Sequence, residues 1–367
     1  MGGGFMKRIS AFFISVVLLV FSVAFSSVSA EDKPVVSAES AVLIDAFTGR
    51  VICAENENEK RPMASTTKIM TTLLCLESGD LDEQFTVDSE AIKVEGSSMG
   101  LCEGDVVTKR ILCYGMLLPS GNDAANATAI KLAGDISSFS EMMNNRAKEI
   151  GMKNTNFITP SGLHDENHYS TAYDMAILTR EALKNPDFSA ICSQGEITTE
   201  YGNPPYRRTL YNTNKLLSMY DGCNGVKTGF TDEAGRCLVS VCEKDGVKLI
   251  AVTLSAPDDW NDHKKLFDYG FSKVKCYATE KKPFEKKISV VGGEKDFVSL
   301  SSENDGKLPL FDGEYKNIKK VVKTPAFLYA PVFEGEKIGE IDYYIGDELI
   351  FTENLYADEN VYVNIRN

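Results

Sequence analysis

With 367 residues, the chain is longer than one ordinary core requires and points to two domains; 43% hydrophobic and 25% charged residues exclude collagenous and disordered classes. Lys and Arg number 39 against 53 Asp and Glu, and the resulting formal charge of −14 argues against nucleic acid as a partner. The nine cysteines are an odd number without a C-x-x-C pair, and Cys75, Cys113, Cys237 and Cys242 sit in apolar contexts, so small core residues are expected rather than a disulfide framework.

Lys7 and Arg8 precede an uncharged stretch from Ile9 to about Val28, and Val28-Ser29-Ala30 offers small residues for cleavage. Residues 1–30 therefore read as a secretory signal peptide, which makes the protein exported and extracytoplasmic, either secreted or membrane-associated. If uncleaved, the apolar run is long enough to span a bilayer, so membrane anchoring is expected through this N-terminal segment only.

Past the signal, two short apolar runs around Thr48-Gly49 signal a hairpin. In "RPMASTTKIM", residues 61 to 70, an apolar run begins at Ile69, and Ile69, Met70, Leu73, Leu74 and Leu76 approximate one helical stripe. The stretch 108–135 reads as helix, break at Pro119 to Gly121, helix. A third amphipathic helix follows, with Phe139, Met142, Met143, Ala147 and Ile150 on its buried face. Thr171 and Asp174 fit a capping box.

From Gly225 the period changes to that of antiparallel strands, including a turn at Lys244-Asp245-Gly246. Strands at both ends of a helical region suggest an α+β fold: an antiparallel sheet flanked by helices, the first hairpin pairing with the late strands, and a helical lobe beside them. A basic, proline-containing stretch from Thr279 places a boundary near residue 280. Residues 31–279 then form the first domain and residues 280–367 a small all-β C-terminal domain.

Ser65-Thr66-Thr67-Lys68 is S-x-x-K, a weak signal alone, because such a serine is more often a helix cap. Ser120-Gly121-Asn122, in the break between helices, and Lys227-Thr228-Gly229, in the first late strand, complete an ordered set found in penicillin-binding proteins and serine β-lactamases. A second set in the same order, Ser272 with Lys275, Ser302-Glu303-Asn304 and Lys323-Thr324-Pro325, leaves no room for a helical lobe. There Pro325 also replaces the glycine that lets a substrate lie close to a strand.

The spacing of the first set has a chemical reading. Residues i and i+3 share a helix face, so Lys68 can reach the Ser65 hydroxyl, and a helix N-terminus favours developing negative charge. A lysine acts as a base only when neutral, which requires its pKa to fall from about 10.4 toward 7 or 8.

Together with "EGSSMGL" at 95–101, "SGLHDENHYSTAYDMA" at 161–176, "NTNKLL" at 212–217 and "LFDYGF" at 266–271, the chain resembles the low-molecular-mass penicillin-binding proteins, serine-type D-alanyl-D-alanine carboxypeptidases. "APVFEGEKIGEIDYY" resembles their small β domain. The resemblance implies a catalytic Ser65 nucleophile, Lys68 as its base and Ser120 as the proton relay to the leaving amine. It further implies that Asn122 holds the substrate amide and orients Lys68, that Lys227 is the cation depressing the Lys68 pKa, and that Thr228 takes the terminal carboxylate. Gly229 lets the substrate approach, and the backbone N–H groups of Ser65 and Phe230 form the oxyanion hole. The implied substrates are peptidoglycan stem peptides ending in D-Ala-D-Ala, with β-lactams as inhibitors and neither cofactor nor metal.

One departure concerns the approach to the "DYGF" helix, where many relatives carry an arginine that assists carboxylate binding; here Asp258 and Asp259 occupy that neighbourhood. Other chemistries fit less well. A serine β-lactamase needs a deacylating glutamate, and Glu141 with Asn145 is the nearest approach, but Asn144 stands where leucine belongs and Glu141 faces away from the core. His164 and His168 have H-x-x-x-H spacing without an evident third ligand, and three histidines are few for a Ser-His-Asp hydrolase. An inert wall-binding protein would be signalled by loss of Ser65, Lys68 or Lys227, and all three are present.

Overall fold

The computed structural model describes residues 33–278, 285–302 and 307–365. The signal peptide read at residues 1–30 and the boundary read near residue 280 lie outside the described residues, as does Asn304 of the rejected motif set.

The first hairpin comprises Ser40–Asp45 (β1) and Val51–Glu55 (β2). A 3₁₀ turn over Ala64–Thr67 leads into Lys68–Glu77 (α1), in which residues 68–76 are all buried. Gln84–Thr86 (β3) and Val106–Thr108 (β4) pair ahead of Lys109–Leu117 (α2), which Thr108 caps by accepting the Ile111 N–H. Pro119 ends that helix, since its ring cannot continue it, and Asn122–Ala133 (α3) starts three residues later.

Asp135 caps Ile136–Glu149 (α4), Thr171 caps Ala172–Ala182 (α5) by accepting the Asp174 N–H at 3.0 Å, and Asn185 caps Pro186–Cys192 (α6). A hairpin of Glu196–Gly202 (β5) and Pro205–Tyr211 (β6) and one turn of Leu216–Met219 (α7) precede the late strands. These are Cys223–Thr231 (β7), Gly235–Lys244 (β8) and Val247–Leu254 (β9), followed by Asp259–Lys273 (α8).

The five-stranded sheet has the order β2-β1-β9-β8-β7, antiparallel throughout, so the first hairpin does pair with the late strands. Period-two alternation sorts its side chains. Val42, Ile44, Ile250 and Val252 face a core shared with α1 to α6, while Leu43, Leu249 and Ala251 join Leu266 and Phe267 of α8 in a second core. Covered on both faces, the central strands are apolar at nearly every position.

One expectation needs correcting. Met142 is 37% exposed, so the buried face of α4 is narrower than its apolar pattern suggests and rests on Phe139, Met143 and Ala147. The cysteines form no disulfide among the described residues, and seven of the nine are buried.

The C-terminal part is all β. Val274–Ala278 (β10), the last strand of the first part, continues directly from α8 and leads into it. It is followed by Glu285–Val291 (β11), Phe297–Ser302 (β12), Lys307–Phe311 (β13), Ile318–Lys323 (β14), Phe327–Tyr329 (β15), Lys337–Ile345 (β16) and Glu348–Ala357 (β17). Six of these form one sheet, β14-β16-β17-β12-β11-β15, while β10 pairs with β13. Both nitrogens of the Arg50 fork donate to Glu314, and the Phe47 ring packs 4.3 Å from that of Phe351, so the two parts touch away from the covalent link.

Asp123, in the first turn of α3 and 1% exposed, fixes the approach to the helical break. Its carboxylate accepts the N–H groups of Met99, Gly100 and Leu101 at 2.9 to 3.1 Å and the Ser98 hydroxyl at 2.6 Å. We predict that Asp123→Ala destabilises the protein by about 3 kcal/mol, because four donors lose one acceptor, and that Asp123→Asn falls between. Thermal unfolding followed by circular dichroism checks this; a melting temperature equal to the parent's would show that the loop finds other acceptors.

Candidate active site

The 3₁₀ turn presents Ser65 at the N-terminal end of α1, half-buried, while Lys68 one turn later is fully buried. Lys68 Nζ lies 2.8 Å from Ser65 Oγ, 2.7 Å from Asn122 Oδ1 and 2.7 Å from the Ser161 carbonyl. The orientation of the Asn122 amide follows from its surroundings, since its Nδ2 donates to the Glu95 carbonyl at 2.7 Å.

This donor and acceptor set constrains the proton. Asn122 Oδ1 and the Ser161 carbonyl can only accept, so a neutral Lys68 amine must spend both N–H groups on them. Its lone pair is then left for the remaining neighbour, the Ser65 hydroxyl. Neutrality is favoured electrostatically as well. Burial first, and the nearby charge of Lys227 second, push Lys68 well below the usual lysine range.

Lys227, on β7, is 1% exposed and donates to the Thr228 carbonyl at 2.8 Å. Burial pushes it down to about 7. Neither lysine forms an ion pair among the described residues.

Above the lysines opens a cavity of about 340 Å³, lined by Ser65, Ser120, Thr228, Gly229 and Phe230. The predicted residues thus divide: these five border the cavity, while Lys68, Asn122 and Lys227 lie buried beneath it. Ser120 sits in the α2–α3 break at φ 67°, and Ala64, just before Ser65, has φ 47°. Both are non-glycine residues in the left-handed region, a costly conformation that the surrounding packing must hold. The Ser120 hydroxyl makes no hydrogen bond with any described residue, whereas Thr228 Oγ1 meets Thr213 Oγ1 at 2.8 Å.

Two glycines set the approach of the segments. A Cβ on Gly229 would lie 3.1 Å from the Ser65 nitrogen, so β7 runs against the 3₁₀ turn. Gly162, at φ 82°, would place a Cβ only 1.9 Å from the Ala64 carbonyl oxygen.

Residues 27–258 match the D-alanyl-D-alanine carboxypeptidase family, and residues 271–363 match the C-terminal domain of penicillin-binding protein 5. The chain belongs to the D-alanyl-D-alanine carboxypeptidase family. It is 35% identical over 352 residues to the D-alanyl-D-alanine carboxypeptidase DacF of Bacillus subtilis, covering 92% of this chain and 90% of that one. DacC of Escherichia coli is 33% identical, with 92% and 88% covered. Among solved structures, penicillin binding protein 5 of Haemophilus influenzae matches with a TM-score of 0.67 at 29% identity over 90% of this chain and 99% of that one. The Streptomyces K15 DD-transpeptidase matches with a TM-score of 0.63 at 33% identity, covering 66% and 99%. The protein is accordingly a serine-type carboxypeptidase with an α+β fold and an all-β C-terminal domain.

In this carboxypeptidase two residues take roles at the site that the sequence alone did not assign. His168 is 3% exposed; its Nδ1 accepts the N–H groups of Ile158 and Thr159, so Nε2 carries the proton and donates to Thr67 Oγ1 at 2.8 Å. Burial pushes its pKa down to about 4, and it stays a neutral brace beside Lys68. Arg236 of β8 borders the cavity and pairs with Asp259, whose carboxylate is therefore not free. Only the hairpin register, which sets Arg236 opposite Phe230, could have pointed to it.

The depressed Lys227 pKa predicts a pH signature. An unfolded lysine keeps its proton to about pH 10.5, while folded Lys227 releases it near 7, so between these values the unfolded chain binds more protons and stability rises with pH. Below 7 the full cost of burying the charge remains. Between pH 7 and 9 the parent should gain up to about 1.4 kcal/mol per pH unit relative to Lys227→Met, measured by denaturant unfolding. Parallel stability curves for the two proteins would mean that Lys227 keeps an ordinary pKa.

Proposed function

We propose that this carboxypeptidase removes the terminal D-alanine from peptidoglycan stem pentapeptides through an ester on Ser65, and that β-lactams acylate the same oxygen. The observation that carries this is the Lys68 hydrogen-bond set, in which two obligate acceptors leave a neutral amine only the Ser65 hydroxyl as a donor. Ser65 Oγ attacks the penultimate D-alanine carbonyl and gives its proton to Lys68. The carbonyl oxygen, now negative, is received by the N–H groups of Ser65 and Phe230.

Ser120 then relays that proton from Lys68 to the departing D-alanine nitrogen, which restores the neutral amine; its unbonded hydroxyl in the same cavity supports that role. Asn122 orients Lys68 and meets the substrate amide at the cavity floor, Thr228 receives the substrate carboxylate, and Gly229 admits the peptide alongside β7. Water then cleaves the ester with Lys68 again as base. The charge of Lys227 favours the neutral form of Lys68 before each attack. The apolar N-terminal segment read as a signal supports action outside the cytoplasm, on wall peptides.

A β-lactamase would hydrolyse the penicilloyl ester with a dedicated glutamate. Glu141 is exposed on α4, which favours a persistent ester instead. Intact mass spectrometry after brief penicillin exposure should show one adduct, mapped to the peptide containing Ser65, absent in Ser65→Ala and lasting minutes. Lys68→Ala should slow acylation by about 10² to 10⁴ with the fold intact by circular dichroism. Rapid turnover of penicillin without a trapped adduct would assign a β-lactamase; neither adduct nor turnover would assign an inert wall-binding protein.

A further inference from the structure

A carboxypeptidase is distinguished from an endopeptidase by a substrate that ends in a free carboxylate, and the cavity beside Ser65 must supply a cation to recognise it. Two basic side chains border that cavity, Lys215 and Arg236, against one acid, Asp259. They differ in how they are held. Arg236 Nη2 donates to Asp259 Oδ1 at 2.7 Å, and its guanidinium carbon lies 5.5 Å from the Trp260 ring centroid. Asp259 is itself 2% exposed and accepts the Trp260 N–H at 2.8 Å, so the carboxylate is fixed before it fixes the arginine.

The Arg236 side chain is 41% exposed where it borders the cavity, and Asp259 engages only its Nη2. A guanidinium held by one of its nitrogens, with donors left unmet at the wall of a catalytic cavity, is a bidentate acceptor's complement. The β7–β8 register places Arg236 directly opposite Phe230, two residues beyond Thr228. Asp258 contributes nothing to this wall, since it takes the Asn261 side-chain amide instead.

We propose that Arg236, positioned by Asp259 and Trp260, anchors the terminal carboxylate of the substrate. The inference rests on the carboxypeptidase reading of the Ser65 site and deepens it. It also gives the acidic start of α8 a purpose: Asp259 aims the guanidinium rather than repelling the substrate, and the two cations of the wall still outnumber the one anion.

The test uses the full chain and a pair of diacetyl-lysyl-D-alanyl-D-alanine peptides, one with a free C-terminal carboxylate and one with a C-terminal amide. The parent should prefer the acid. Arg236→Ala should lose about 10- to 100-fold in kcat/KM on the acid, so that the preference for acid over amide collapses toward one. Arg236→Lys should retain part of the preference and Asp259→Asn should weaken it, whereas Lys215→Ala should leave the ratio near the parent's. An unchanged ratio in Arg236→Ala, an equal loss on both peptides, or collapse in Lys215→Ala instead would overturn the assignment while the parent's own activity stood. A parent that cleaves neither peptide would overturn the carboxypeptidase reading itself and the anchor with it.

Discussion

Two lysine side chains are buried under one serine with no carboxylate paired to either among the described residues, and the rest of the structure answers to that constraint. A buried charge without a partner costs several kcal/mol, and such a group relieves the cost by releasing its proton. Here burial, with the charge of Lys227 as neighbour, does so for Lys68, and burial alone lowers Lys227 to about 7. A carboxylate beside Lys68 would remove the strain and, with it, the base. The acceptors supplied are an amide oxygen and a peptide carbonyl, which satisfy N–H groups without restoring the charge.

Holding those acceptors requires segments distant in sequence to converge on α1. Thr71 Oγ1 donates to the Pro160 carbonyl, Lys68 to that of Ser161, and His168 to Thr67, so one loop is tied at three points to the 3₁₀ turn and the first turn of α1. From the other side, α3 delivers Asn122, and Asp123 next to it gathers the 98–101 loop. The two left-handed residues, Ala64 and Ser120, sit where these segments meet, and their backbone geometry is sustained by the buried core around them.

Much of this was legible in the sequence because it is periodic or contiguous. The apolar stripe after Lys68 became α1, the break at Pro119 separated α2 from α3, and the alternation after Gly225 became β7 to β9. The hairpin of β5 and β6 escaped because most of its side chains are exposed and no apolar run marks it; Arg208 lying over Tyr201 and Tyr206 stiffens it instead. At the site, the three motifs carry their own spacing. Arg236 and His168 act across the chain, and their partners, Asp259 and Thr67, are joined to them by folding alone. A list of acidic residues ahead of α8 therefore says nothing of the cavity's charge until the arginine opposite is located.

The pairing of β10 with β13 has a mechanical consequence. A hinge needs a line that few contacts cross. Between the carboxypeptidase part and the C-terminal sheet, a strand ladder, the Arg50–Glu314 pair and the Phe47–Phe351 contact all cross it, at separate places. The C-terminal sheet is thereby a handle rather than a tether: turning it turns α8 and the five-stranded sheet with it.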